Sequence, residues 1–227
     1  MYRKVKLFIT LSAGMYIITS CNNGTTTDTS KTDTATTSSA QSDTANSKRS
    51  MSDTMKMDNG LMTSMTTMMD KMSSMKMSGD FDLDFANMMI IHHQGAIDMS
   101  NEELKSGTDE KMKKMAEKII TKQKEEIGKL QSIIQSYKPM KMEMGKHDEL
   151  SEMTEEMKTK MSDMKMTGNM DKDFAMMMIS HHEDAIKMSK DELSHGMNAP
   201  LKEMAKKGID DQTKEITDFK TWLSANK

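Results

Sequence analysis

The 227-residue sequence predicts an all-α fold: a four-helix core built from one helical unit written twice, with additional methionine-rich helices packed on it. Three observations predict this. The run Asp84-Phe85-Ala86-Asn87-Met88-Met89-Ile90-Ile91-His92-His93-Gln94-Gly95-Ala96-Ile97-Asp98-Met99-Ser100 returns as Asp173-Phe174-Ala175-Met176-Met177-Met178-Ile179-Ser180-His181-His182-Glu183-Asp184-Ala185-Ile186-Lys187-Met188-Ser189, at a constant offset of 89 residues. Each copy carries its apolar residues at helical spacing and is followed by a second amphipathic segment. One helical hairpin cannot cover its own apolar face, so two together close a core. The composition agrees: 30% charged, 4% aromatic and only two prolines suit exposed amphipathic helices, and 32 methionines supply a soft apolar interior.

Residues 1–20 are not part of the fold. Arg3, Lys4 and Lys6 form a basic start, and Leu7 to Ile18 is an apolar run too short to cross a bilayer. Ile18-Thr19-Ser20-Cys21 then reads as a bacterial lipoprotein cleavage site, with lipid attached at Cys21. The expected address is extracytoplasmic, lipid-anchored to the outer membrane on its periplasmic side. Cys21 is the only cysteine, so an intrachain disulfide or a thiolate metal cluster is excluded. Loss of the three leader cations takes the net charge from −3 to −6, and no basic patch points to nucleic acid. Residues 21–50 form a Thr/Ser-rich tether with too little apolar surface to offset its ordering entropy.

The first repeat, 51–139, opens with a methionine helix read from Met51 to Met77. Met51, Met55, Met62, Met65, Met69 and Met72 make a core stripe, while Met57, Met68, Met75 and Met77 lie off it. Gly79-Asp80 breaks that helix, and Asp82 or Asp84 is placed to cap the next. A histidine-bearing helix is expected near 82–105, and a turn at Ser106-Gly107-Thr108 follows. A third helix near 109–137, capped by Thr108 or Asp109, ends before Pro139. The second repeat, 140–227, begins with the connector Met140-Lys141-Met142-Glu143-Met144. It then repeats the unit, with helices near 171–194 and 199–224. Gly208 stands where the first copy has Ile119 and is expected to loosen the last helix.

On a helical wheel both histidines of each pair lie within the wide apolar face, with Met99 on the same side as His92 and Met88. Ile91 is the misfit, and its counterpart Ser180 suits an outward position. Residues four apart are neighbours, so Met88 sits beside His92, Met89 beside His93, Met177 beside His181 and Met178 beside His182. Thioether and imidazole suit copper(I), and thioether suits silver(I). The candidate ligands are therefore Met88, Met89, His92, His93 and Met99, with Met177, Met178, His181, His182 and Met188. Met75, Met77, Met164 and Met166 join them from the Met-Lys-Met runs. The competing reading makes the same residues core filling, since Met packs irregular gaps and buried histidines are usually hydrogen-bonded structural residues.

The run from Met88 to Met99, with Gln123, Glu126 and Ile127, resembles the DUF305 family. The resemblance covers roughly 61–137 and 150–225. It implies a ferritin-like helical bundle, copper or silver handling and an extracytoplasmic location. The second copy departs from it at Ser180 and Glu183-Asp184, which separates the two sites in expected affinity.

These readings converge on a lipoprotein that binds copper(I) or silver(I) for buffering, resistance or transfer to a partner protein. No nucleophile–base set, phosphate-cradling loop or fingerprint for an organic cofactor accompanies it, so no enzymatic activity is expected. The first alternative is a structural or adaptor bundle with methionine as packing or as an oxidant sink. The second is a di-iron protein, which needs two Glu-x-x-His motifs where the sequence offers only Glu192-Leu193-Ser194-His195. His147 and His195 are unrepeated and read as surface residues.

Overall fold

The computed structural model describes residues 51–139 and 148–227, with side chains described from residue 60 onward except at 148, 149 and 151. Six helices account for almost all of them: α1 (Met51–Ser73), α2 (Phe81–Ser106), α3 (Glu110–Ser136), α4 (Asp148–Ser162), α5 (Met170–His195) and α6 (Ala199–Ala225). No strand occurs among the described residues. The signal, Cys21, the tether and the Met140–Met144 run lie outside them, as does His147.

Each helix start is set by a short polar side chain. Asp80 accepts from the Leu83 amide, Asp109 from Lys111 and Met112, Asn169 from Lys172 and Asn198 from Leu201. Such a cap contributes about 1 kcal/mol. The cap of α2 is thus Asp80, not Asp82 or Asp84. Those two carboxylates are buried and serve longer-range contacts. Asp84 accepts from the Ser78 and Gly79 amides at 2.8 and 3.1 Å. Asp173, its repeat partner, does the same for Thr167 and Gly168 at 2.7 and 3.0 Å. Gly79 and Gly168 have φ of 85° and 77°, which only glycine adopts readily. The consequence is that α1 stops at Ser73 and does not reach Met77. Met75 and Met77 lie in an extended connector folded back toward α2, and Met164 and Met166 lie in the equivalent connector after α4.

The hairpins α2–α3 and α5–α6 pack through α2 and α5, with α3 and α6 meeting sparsely and α1 lying on α2 and α5. The halves are joined by a reciprocal exchange. Asp82 accepts from the Met197 and Asn198 amides at the α5–α6 turn, at 2.9 and 2.8 Å. Asp171 accepts from the Thr108 and Asp109 amides at the α2–α3 turn, at 2.9 and 2.8 Å. Every partner in one set is 89 residues from its partner in the other, so the two hairpins share one core related by a pseudo-twofold axis.

Three further expectations are corrected by packing. Met68, off the stripe, is 2% exposed and sits against Gly95, where an added Cβ would lie 2.5 Å from its sulfur. Ser180 is buried, not outward, because α5 crosses the centre of the bundle. Gly208 lies inside an unbroken α6.

Candidate metal centre

All four paired histidines are buried, at 0–3% exposure. His92 and His181 meet where α2 crosses α5, their ring centroids 3.6 Å apart and the planes tilted by 31°. His181 Nε2 donates to the His92 carbonyl at 2.9 Å, which leaves its Nδ1 without a partner. Neither nitrogen of His92 has a partner. Burial, with the neighbouring His181, pushes the His92 imidazole well below its ordinary pKa. Burial, with His182, does the same for His181. Both rings are therefore neutral at pH 7, the protonation state in which imidazole binds a metal.

The outer histidines face carboxylates from the next helix. His93 Nε2 is 3.1 Å from Glu126 Oε2, and His182 Nε2 is 2.8 Å from Glu215 Oε2. The second contact has ion-pair distance without the alignment of a directed hydrogen bond. Burial pushes the Glu215 carboxyl up, but His182 and Lys122 outweigh it and hold the group below the usual carboxylate range. A carboxylate at Nε2 places the ring proton there and leaves Nδ1 as the free lone pair. Carboxylate–histidine pairs of this kind orient metal-binding imidazoles. The Nδ1 atoms of His93 and His182 are buried and unpartnered.

The thioethers divide into two groups. Met72, Met75, Met77 and Met88 line one cavity of about 70 Å³, closed on the α4 side by Leu150, Thr154 and Glu155. That is several times the space of one water. The cavity forms because α1 ends at Ser73 and the connector carries Met75 and Met77 back over Met88. Three of these four residues are among the sequence candidates. Met72 was assigned to the core stripe, and nothing in a single helix pattern separates a buried methionine from one at a cavity wall. Their repeat counterparts are Met161, Met164, Met166 and Met177, of which Met161 is half-buried where Met72 is 3% exposed.

Met89 joins His93 at a second, smaller cavity. Met99, Met178 and Met188 are fully buried core residues that line neither space. The structure thus places Met88 and Met89 at different cavities, although both precede a histidine by one turn. In the sequence Glu126 stands only among the residues that carry the family resemblance, with Glu215 as its repeat counterpart, and neither is read there as a partner of a histidine. Among the described residues, no cluster of three or more His, Cys, Asp or Glu side chains could hold a metal.

The chain matches the profile for "Domain of unknown function (DUF305)" twice, over residues 23–134 and 134–223. It belongs to the DUF305 family. Among solved structures it is similar to CopM in the Cu(II)-bound form, with 27% identity, 64% of this chain and 97% of that chain covered, and a TM-score of 0.50. CopM in the Cu(I)-bound form gives 26% identity, 63% and 96% coverage and a TM-score of 0.49. A DUF305 fragment from Deinococcus radiodurans gives 19% identity, 64% and 96% coverage and a TM-score of 0.50. That last likeness concerns the helical fold alone. No curated protein matches the chain.

Proposed function

We propose that this protein is a lipid-anchored envelope protein that binds copper(I), with silver(I) as its chemical stand-in, and buffers it or passes it to a partner. The observation that carries the reading is the cavity lined by Met72, Met75, Met77 and Met88. Thioethers without thiolate select copper(I) and silver(I) over zinc, whose sites use Cys, His and carboxylate. Similarity to CopM, which has been solved with Cu(II) bound, supports copper as the metal. The absence of a three-member His/carboxylate cluster among the described residues argues against a di-iron centre. The anchor rests on the signal ending at Cys21, and no described helix is long and apolar enough to cross a membrane.

Competition for copper(I) against a calibrated chelator, under anaerobic conditions, tests the binding. Met75→Leu/Met77→Leu/Met88→Leu should weaken binding by a factor of ten or more, roughly the loss of one ligand interaction worth ~1.4 kcal/mol. Leucine keeps volume and apolarity, so stability should fall by less than ~1.5 kcal/mol per site. Equal copper(I) affinity in parent and variant would mean that the methionines are packing. Cys21→Ala tests the address: the variant should lose fatty-acid labelling and leave the membrane fraction.

A further inference from the structure

The smaller cavity lies between the hairpins, with room for about 20 Å³, enough for one water or one ion. Its walls include His93 and Met89 of α2, Glu126 of α3, and Met204, Gly208 and Gln212 of α6. His93 Nε2 faces Glu126, and His93 Nδ1 is buried with no partner. Gln212 is 3% exposed and its Oε1 has no partner either. Two residues lining one small space thus each carry a buried, unsatisfied polar atom, which is costly unless something fills the space. Their counterparts His182 and Gln123 carry the same orphaned atoms, so what sets this site apart is the room. Glu126 has a side-chain exposure of 14%, so the cavity reaches solvent between α3 and α6, where the packing is thin.

The counterpart position beside His182 carries larger side chains. Gly208 is replaced there by Ile119, 2% exposed, and Leu130 by Phe219, whose ring lies 6.2 Å from that of His182. The room beside His93 therefore comes from substitutions at two repeat positions, not from loose packing of the whole bundle.

We propose that the cavity beside His93 is a separate soft-metal site. It holds one copper(I) on His93 Nδ1 and the thioethers of Met89 and Met204, and the equivalent position beside His182 holds none. One imidazole and two thioethers are donors suited to copper(I). Glu126 is a positioning residue. It accepts from Nε2–H, fixes the tautomer that frees Nδ1, and balances the ion's single positive charge one hydrogen bond away. The proposal rests on the soft-metal reading above but assigns a different seat from the Met72–Met88 cavity.

Gly208 offers the test. A Cβ added there meets only Ser189 Oγ, at 3.8 Å, so Gly208→Ala is sterically free, and Gly208→Ile installs the residue of the other repeat. Full-length protein with ¹⁵N-labelled histidine is titrated anaerobically with copper(I), reading bound metal per chain and the ring ¹⁵N shifts, with the His93 signals assigned from His93→Gln. In the parent, and equally in Met75→Leu/Met77→Leu/Met88→Leu, copper(I) should shift His93 Nδ1 and leave the His182 ring unmoved. In Gly208→Ile one bound metal per chain and that shift should vanish, with Gly208→Ala intermediate and helix content unchanged in both. Glu126→Gln should weaken this site about 10–100-fold and alter the His93 tautomer signature before metal is added. A His93 Nδ1 that ignores copper(I), or that still shifts in Gly208→Ile, overturns the proposal. If the methionine triple variant alone loses metal, the function proposed above survives and this site does not. A parent that binds no copper(I) overturns both.

Discussion

The two repeats keep one scaffold and differ where they touch empty space. Asp82 and Asp171 each receive two amides of the opposite hairpin's turn, and His93–Glu126 is matched by His182–Glu215. Against this symmetry stand three differences. Gly95 lets α1 settle onto α2 through Met68, whereas its counterpart Asp184 is reached by Lys160 of α4 at 3.4 Å. Gly208 and Leu130 leave room beside His93, whereas the larger Ile119 and Phe219 stand at the matching positions beside His182. Met72 is enclosed, and Met161 is half-buried. The comparison teaches that the repeat's shared contacts join the two halves, while its variable positions decide where cavities form.

The largest effect should come from breaking the shared contacts. Asp82→Ala and Asp171→Ala each strip a buried acceptor from two amides of a partly exposed turn and from one hydroxyl, that of Tyr137 at 3.1 Å for Asp82 and that of Thr108 at 2.8 Å for Asp171. Hydrogen bonds to a charged group contribute about 1.5–3 kcal/mol each, and water can replace part of them at these turns, so each variant should lose about 2–4 kcal/mol. Three donors depend on each carboxylate, so the two variants should lose similar amounts. Urea unfolding at pH 7 measures both. Equal and small losses, under about 1 kcal/mol, would show that the exchange does not hold the halves together.

The same two contacts should give stability a pH dependence. Burial, with the neighbouring Asp171, raises the Glu103 carboxyl to about 8. Burial, with Asp82, raises that of Glu192 to about 9. Lys113 and Asp109 also act on Glu103, and Lys202 and Asp80 on Glu192. The folded state therefore keeps protons that the unfolded chain releases at ordinary carboxylate values, near 4.5. Stability is highest below that value and declines as pH rises, until each folded pKa is passed. The slope is up to about 1.4 kcal/mol per pH unit for each carboxyl. Urea midpoints should fall between pH 5 and pH 9, roughly the window those pKa values bound, and Glu103→Gln with Glu192→Gln should flatten the curve. A curve unchanged by both substitutions would place the titrating groups elsewhere.

Much of this was legible in the chain. The helical periodicity and the 89-residue offset led to the boundaries of α2, α3, α5 and α6 within a residue or two, because amphipathic spacing and polar caps are local signals. The burial of all four paired histidines followed from the same periodicity. The early stop of α1 was not legible, since it depends on Asp84 reaching back to the Ser78 and Gly79 amides, a contact between segments. Nor was the divergence of Met88 and Met89. Both precede a histidine by four residues, and only the placement of α1, α4 and α6 sends one to a thioether cavity and the other to His93. Met68 looked surplus to packing because its partner is a glycine, which leaves no side chain in the pattern to announce a contact.

The smallest effect sharpens the comparison at that glycine. Alanine in a helix is favoured over glycine by roughly 0.5–1 kcal/mol, so Gly95→Ala would stabilise a solvent-facing site. Here the new methyl would lie 2.5 Å from Met68 Sδ, 2.9 Å from its Cγ and 3.1 Å from its Cβ. The sulfur could swing aside, but the Cβ is fixed to α1 and the side chain is 2% exposed, so α1 itself must shift. Overpacking of this kind costs about 1–3 kcal/mol, which exceeds the propensity gain, and Gly95→Ala should be destabilising on balance. Asp184→Ala at the matching position should behave oppositely. Burial raises the Asp184 carboxyl to about 6, with Lys160 only partly offsetting it, so at pH 7 the folded protein holds a poorly solvated charge. Its removal forfeits one contact at 3.4 Å and gains helix propensity, leaving stability within about 1 kcal/mol of the parent or above it. Paired urea titrations at pH 7 decide the matter: a neutral Gly95→Ala beside a strongly destabilised Asp184→Ala would mean that Met68 does not fix α1 against Gly95 and that the Lys160–Asp184 contact holds α4.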